Sequence, residues 1–285
     1  MYCLTVQNKI GDLLTLTQNE SVYQIQKIEG LSPPNAQVNL TPIVGLDGAV
    51  FNSSKLETRE IVLYIKINGN AEKNRVNLYT FFPVKDSVVL YFKNGERDVF
   101  IEGVVQSFEC DLFAQGQIAQ ISVLCPYPYF KSVQEIVDDV SNVHSLFTFP
   151  FTIDEEGIPI SEYIENRETW ILNESQTETG LVIKANFSGS VHKLDIRNTL
   201  TGEDFTISYN FIDGDVLTIN TNKGQKSVTL LRSGTFYNLF SAVQVGSVFL
   251  QLHAGANPIA FAADEGASDD NVQILFYRRT EYRGV

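Results

Sequence analysis

The feature that most constrains this chain is a side-chain period of two, repeated along nearly its whole length. Leu181, Ile183, Ala185 and Phe187 interleave with Val182, Lys184 and Asn186, and Leu194 and Ile196 interleave with Lys193, Asp195 and Arg197. That period puts one set of side chains on each face of an extended strand, so these segments read as half-buried β-strands. Comparable runs occupy Val22–Ile28, Ile61–Ile67, Val88–Phe92, Val99–Phe108, Gln117–Leu124, Phe205–Tyr209, Val216–Thr221, Ser227–Leu231, Val248–Leu252 and Val272–Tyr277. Short strands at this spacing, parted by Gly, Asn and Asp turns, predict an all-β, mainly antiparallel chain built of sandwiches.

In the first half only Ala71–Phe82 has helical character, with Asn70 placed to cap it and Ala71, Leu78, Tyr79 and Phe82 expected on the inward face. Pro83 ends it. One helix laid on a sheet suits an α-decorated β-sandwich, since a βαβ fold needs a helix after every strand.

At 285 residues the chain is long enough for two domains. Cys125-Pro126-Tyr127-Pro128-Tyr129-Phe130 marks the boundary, because two prolines end strand pairing and the acidic, polar stretch Ser132–Ser145 follows as a linking strand or short helix. The expected division is a domain over 1–130 and a second over 131–285, with a linker over 131–147 and Phe147–Phe151 anchoring the second domain. Between Gly30 and Arg59 lie about thirty residues rich in Pro, Asn, Gly and Ser, longer than an ordinary connection. They also carry Val38, Leu40, Ile43, Val44, Leu46, Val50 and Phe51, more apolar surface than a solvated loop carries, so this segment is expected to order against a neighbouring subunit.

Charge narrows the function. A formal net charge of -13 repels a phosphate backbone and disfavours nucleic-acid binding. The basic cluster Arg278, Arg279 and Arg283 reads as a solvated strand edge. The three cysteines, Cys3, Cys110 and Cys125, lack metal or redox spacing, leave at least one thiol unpaired and read as small apolar side chains in strands, with no disulfide framework expected. The first residues lack the basic and apolar regions of a secretory signal, and no run of 18 apolar residues occurs, so neither secretion nor a membrane is expected. The sequons at Asn173 and Asn186 then carry no weight.

The residues spell out no catalytic constellation. The nucleophile motif G-x-S-x-G is missing. Of His144, His192 and His253, His192 with Asp195 is the nearest pairing to a carboxylate, and positions i and i+3 of a strand face opposite ways. Asp154, Glu155, Glu156, Glu162 and Glu165 offer carboxylates for a glycosidase but no opposed pair, and read as a solvated loop. Asp213-Gly214-Asp215 hints at calcium but fits a tight turn better, and the acidic run Asp264–Asp270 reads as a soluble loop. No phosphate-cradling or dinucleotide motif occurs, so no catalytic residue, metal or cofactor is expected. Trp170, Tyr209, Phe236, Tyr237 and Phe240 pack as core by default; exposed on a concave sheet beside Asn238 or His253 they would form a sugar-stacking platform.

Several stretches, in order, resemble the distal tail protein family of siphovirus-type, long-tailed bacteriophages. They are Asp47–Phe51, then Arg59-Glu60-Ile61, the helix with Arg75, Leu78-Tyr79 and Phe82, Ile101–Val105, and Val123–Pro128. The second half adds Phe147–Phe151, Asn222–Val228, Gly246–Leu252, Gly255-Ala256-Asn257 and Tyr282–Val285. The resemblance implies an N-terminal, tail-tube-like β-sandwich with one helix that assembles into a hexameric ring, and a galectin-like C-terminal β-sandwich. It also implies a non-enzymatic structural protein of the virion, at the tail tip or baseplate. There the ring joins the tail tube protein to the tail-associated lysin or tail fibre hub and to receptor-binding proteins, with DNA passing through its channel. Some relatives insert carbohydrate-binding modules, for which the short loops here leave no room. The alternative reading is a lectin-like protein recognising host cell-wall carbohydrate; a glycosidase of the same shape comes third.

Overall fold

The computed structural model describes residues 2–114, 116–139, 143–145, 161–163, 168–263 and 271–285, with backbone only for 143–145 and 161–163. Phe147–Phe151, Asp154, Glu155, Glu156, Glu165 and the acidic run 264–270 lie outside the described residues, as do the side chains of His144 and Glu162. The chain is all-β and mainly antiparallel, as the period of two requires. It divides into two compact units, one of residues Met1–Gln134 with Glu281–Val285, the other of Glu135–Thr280.

In the first unit the elements are β1 (Cys3–Gln7), β2 (Leu13–Leu16), β3 (Tyr23–Glu29), β4 (Ala36–Pro42), β5 (Ala49–Leu56), β6 (Arg59–Ile67), α1 (Ala71–Phe81), β7 (Ser87–Lys93), β8 (Asp98–Cys110), β9 (Ile118–Cys125) and β10 (Phe130–Ser132). One sheet runs β2-β1-β7-β8-β9-β6-β3 and curls until its ends approach, with Ile25 N–H donating to Thr17 O at 3.1 Å. Inside it lie the alternate residues of each strand: Leu4 and Val6, Ile61, Leu63 and Ile65, Leu90 and Phe92, Ile121 and Val123. Gly103 takes an inward position because a Cβ there would stand 2.5 Å from Val123 Cγ1 and 2.9 Å from Cys125 Sγ.

Asn70 caps α1, its Oδ1 accepting from Lys73 N–H at 3.2 Å. Leu78 and Phe82 face the core, whereas Tyr79, expected inward, is 41% exposed. Consecutive helical residues point about 100° apart, so Leu78 and Tyr79 cannot share the face, and Tyr79 packs edge-on against Phe108 at 4.6 Å instead.

The second unit contains β11 (Ile136–Asp139), β12 (Val143–Ser145), β13 (Ser161–Tyr163), β14 (Glu168–Asn173), β15 (Val182–Phe187), β16 (Val191–Asn198), β17 (Asp204–Phe211), β18 (Val216–Asn220), β19 (Ser227–Arg232), β20 (Thr235–Asn238), β21 (Gly255–Ala263) and β22 (Val272–Arg278). A six-stranded sheet, β11-β22-β15-β18-β19-β20, and a four-stranded sheet, β14-β21-β16-β17, enclose one core. Phe187 and Phe211 stack in it at 4.2 Å. The expected strand Val248–Leu252 is irregular backbone. Leu250 and Leu252 are buried, but the segment bonds piecemeal: Val248 N–H to Asp204 O, Leu252 N–H to Thr179 O, and Gln251 Nε2 to Thr221 O. Alternation reported the buried side chains and could not report that no continuous strand lay alongside.

The stretch after the two prolines is strand where described, with no helix in it. The last residues, expected in the second domain, return to the first unit as β23 (Glu281–Tyr282), which pairs with β10 through Phe130↔Tyr282 and Lys131↔Glu281. No helix among the described residues is long and apolar enough to cross a membrane.

Gly103→Val should cost about 1–3 kcal/mol or more by overpacking, while Gly95→Ala, with nothing within 4 Å of the added carbon, should stay within about 0.5 kcal/mol of the parent. Denaturant titration of both variants checks the difference.

Candidate functional site

The segment expected as an apolar loop is a β-hairpin. β4 and β5 form their own two-stranded sheet, and every residue of it but Leu56, which is partly covered, is exposed. The register pairs Ala36 with Leu56, Val38 with Ser54, Leu40 with Phe51 and Pro42 with Ala49, so these share one face. Gln37 with Lys55, Asn39 with Ser53 and Thr41 with Val50 share the other. Asn39 Nδ2 donates to Ser53 Oγ at 3.0 Å, and Asn52, the extra residue of a bulge, donates to Thr41 Oγ1 at 2.6 Å. The arm is therefore two-faced: one polar and internally bonded, the other apolar. Phe51 is 60% exposed, Leu40 56% and the tip residue Val44 98%. A lone two-stranded hairpin is only marginally stable in water, and seven strand residues at about 3.3 Å each carry its tip roughly 20 Å from its root.

The root is built differently. Arg59 begins β6 at a position whose alternation, shared with Ile61, Leu63, Ile65 and Ile67, turns it to the core, and it is 2% exposed. Its Nε donates to Pro128 O at 2.8 Å, Nη1 to Ser32 O at 2.7 Å and also to Gly30 O, and Nη2 to Arg283 O at 2.5 Å. The guanidinium lies 4.5 Å over the Phe130 ring. Burial pulls its pKa below the ordinary arginine value, with the neighbouring Cys125 pulling the other way. Burial in turn pushes the Cys125 thiol up to about 12 despite the Arg59 charge, which leaves a neutral thiol where a nucleophile would need a thiolate. Gly30 is obligatory: its φ is +84°, and a Cβ would stand 2.0 Å from Glu60 O.

The remaining candidate residues are not brought together. His192 Nδ1 lies 2.9 Å from Asn210 Oδ1, while Asp195 accepts from Thr206 Oγ1 at 3.1 Å and pairs with Arg197, so no His–Asp dyad forms. His253 Nδ1 lies 3.0 Å from Glu178 Oε1 on the surface. Trp170, 66% exposed, stands on the four-stranded sheet, whereas Phe236 and Tyr237 lie on β20 at the edge of the other, Phe240 in a short 3-10 turn, and Tyr209 beneath Arg232. They make no common platform. Of the cysteines only Cys125 is fully buried; Cys3 and Cys110 are partly exposed. Arg278, expected solvated, pairs with Asp138 at 2.6 Å, and Arg279 pairs with Glu135 at 3.3 Å.

Asp213-Gly214-Asp215 is a turn, with Gly214 at φ +81° and Asp215 N–H donating to Ile212 O. The Asp215 carboxylate, 1% exposed, accepts two hydrogen bonds from Arg232 at 2.8 and 2.5 Å. Those bonds, and then the Ile212 N–H, hold its pKa below the usual carboxylate range against the opposing effect of burial. A depressed carboxyl stabilises the fold above its unfolded pKa of about 3.9, and that contribution is lost as pH falls through the lower folded value. Asp215→Asn should therefore lower the thermal midpoint by several degrees at pH 7 and flatten its fall below about pH 4, whereas Asp213→Asn should do neither; calorimetry across pH checks this.

No curated protein matches the chain. Residues 174–279 match the family model described as siphovirus-type tail component, C-terminal domain. The fold is similar to that of SPP1 Dit (gp 19.1), described as a paradigm of the hub adsorption apparatus in Gram-positive infecting phages, with TM-score 0.70, 14% identity and coverage of 97% of this chain and 98% of that one. It is also similar to chains in two structures of the phage P2 baseplate in its activated conformation. With Ca the TM-score is 0.54 at 9% identity, and with Sr it is 0.51 at 10%, each covering 98% of both chains. The family model thus falls within the second unit, while the likeness in fold to SPP1 Dit and to the baseplate chains runs through both units.

Proposed function

We propose that this chain is a structural, non-enzymatic subunit of a phage tail tip, and that copies of it close into a ring, hexameric as in the family, through the β4–β5 arm. The family-model match over residues 174–279 and the likeness in fold to SPP1 Dit support the tail-hub role. The observation that carries the assembly reading is the arm's apolar face, which its own chain leaves exposed. A face used head-to-tail by identical copies meets a different surface on each neighbour, and a fixed rotation then closes a ring. Covering Leu40, Phe51 and the tip contributes about 1–2 kcal/mol per large side chain, enough in sum to hold a neighbour. In this reading the ring joins the tail tube protein to the lysin or fibre hub and to receptor-binding proteins, in the virion. The excess negative charge suits a conduit to which passing DNA does not stick.

Light scattering after size exclusion should show an oligomer at high concentration. Leu40→Ser with Phe51→Ser should weaken it at least about tenfold without lowering the thermal midpoint, since neither side chain belongs to the core. A strictly monomeric parent chain, at high concentration and beside its tail partners, would falsify the ring.

A second reading, cell-wall carbohydrate recognition by the second unit, rests on Trp170 alone, exposed on an outer sheet face with Glu168 two residues before it. Titration of the full chain with cell-wall polysaccharide, followed by Trp170→Ala, separates the two. The ring reading expects no binding by either protein.

A further inference from the structure

The arm's root is held by residues far along the chain. Arg59 Nη2 donates to Arg283 O at 2.5 Å, Arg97 Nη1 donates to Gly284 O while its guanidinium lies 4.5 Å over the Tyr282 ring, and Val285 N–H donates to Leu31 O at 3.1 Å. Gly284 fits so closely that a Cβ would stand 3.1 Å from both Leu31 O and Pro33 Cδ. Upstream, Tyr127 Oη donates to the Glu281 carboxylate at 2.7 Å, and Glu281 is 3% exposed. Residues 281–285 are thus stitched to the irregular segment that leads from β3 into the arm, and the same guanidinium that takes Arg283 O also takes Gly30 O and Ser32 O. None of these contacts involves the arm's apolar face.

We propose that residues 281–285, gripped by Arg59 and Arg97, are the positioning device of the arm: they set the direction in which it leaves the first unit. A two-stranded ribbon hinged on one short segment at each side can swing, and swinging disperses its tip over many directions. Tying Leu31 and Pro33 to the 281–285 segment removes that freedom before any neighbour arrives, so association need not supply the ordering. Formation of the arm and its aim are then separate properties: the ladder between β4 and β5 makes the ribbon, and the clasp points it.

The consequence for assembly rests on the arm being the contact between copies; the clasp itself does not. The probe is Gly284→Leu in the full chain, which wedges the tail from Leu31 and Pro33 at the margin of the core, with Arg59→Lys as a second variant that keeps the charge but loses the fork. Hydrogen exchange at residues 30–35 and 57–58 should rise about tenfold or more in Gly284→Leu, with β6, β8 and β9 unchanged, and self-association should weaken about tenfold. Arg59→Lys should loosen the same segment. Unchanged exchange at the root, an equal rise throughout the first unit, or a loosened root with undiminished self-association would each overturn the proposal. A parent chain that never self-associates defeats the ring reading instead, and the exchange pattern at the root still decides whether the clasp exists.

Discussion

A guanidinium leaves water only when its donors find acceptors, and Arg59 finds all of its hydrogen-bond partners in backbone carbonyls: Gly30, Ser32, Pro128 and Arg283. Those carbonyls come from three distant stretches of chain. One leads into the arm, one follows the last long strand of the curled sheet, and one is the returning tail. Because the charge persists at any working pH, the demand for acceptors persists too. These segments also meet at the margin of one core through Leu31, Phe130, Tyr282 and Val285, and this one side chain bonds to all three.

The first unit accordingly combines two kinds of order. Its curled sheet is held by apolar burial, with strands β6, β8 and β9 contributing inward residues on every second position. Its arm has no such burial and is held only by a cross-strand ladder, a polar face that bonds to itself, and the root at Arg59. Apolar burial is non-directional and tolerates small shifts, whereas hydrogen bonds to fixed carbonyls set an angle. An element that must reach another molecule needs the second kind, because a small angular error at the root becomes a large displacement at the tip.

The second unit shows the same economy of charge. Asp215 and Arg232 form the partly buried pair that closes a turn, and Asn257, fully buried, ties His253 and Gly255 through its amide. Residues that suggest chemistry in the sequence, the Asp-Gly-Asp triplet among them, serve the backbone. Asp215 meets a cation supplied by the chain itself, seventeen residues away.

Most of the core-lining strands, the one helix and much of the core were legible in the sequence alone. Alternation is a local property, so Ile61, Leu63, Ile65 and Ile67 declare their face whatever lies beyond them, and Asn70 and Pro83 bracket the helix with their own side chains. It also marked the 30–59 segment as unusual through its surplus of apolar residues. Tertiary structure alone decided that this segment is a ribbon and not a loop, since the pairing of Leu40 with Phe51 depends on register across a turn. It alone decided the return of 281–285 and the placing of Tyr79, Trp170 and the aromatic residues of β20. The one local signal for the root was present, a charged residue in phase with the apolar set of β6. Its meaning was not, because hydrogen-bond acceptors on the backbone have no side-chain signature, and only the folded chain brings Gly30, Pro128 and Arg283 within reach of one guanidinium.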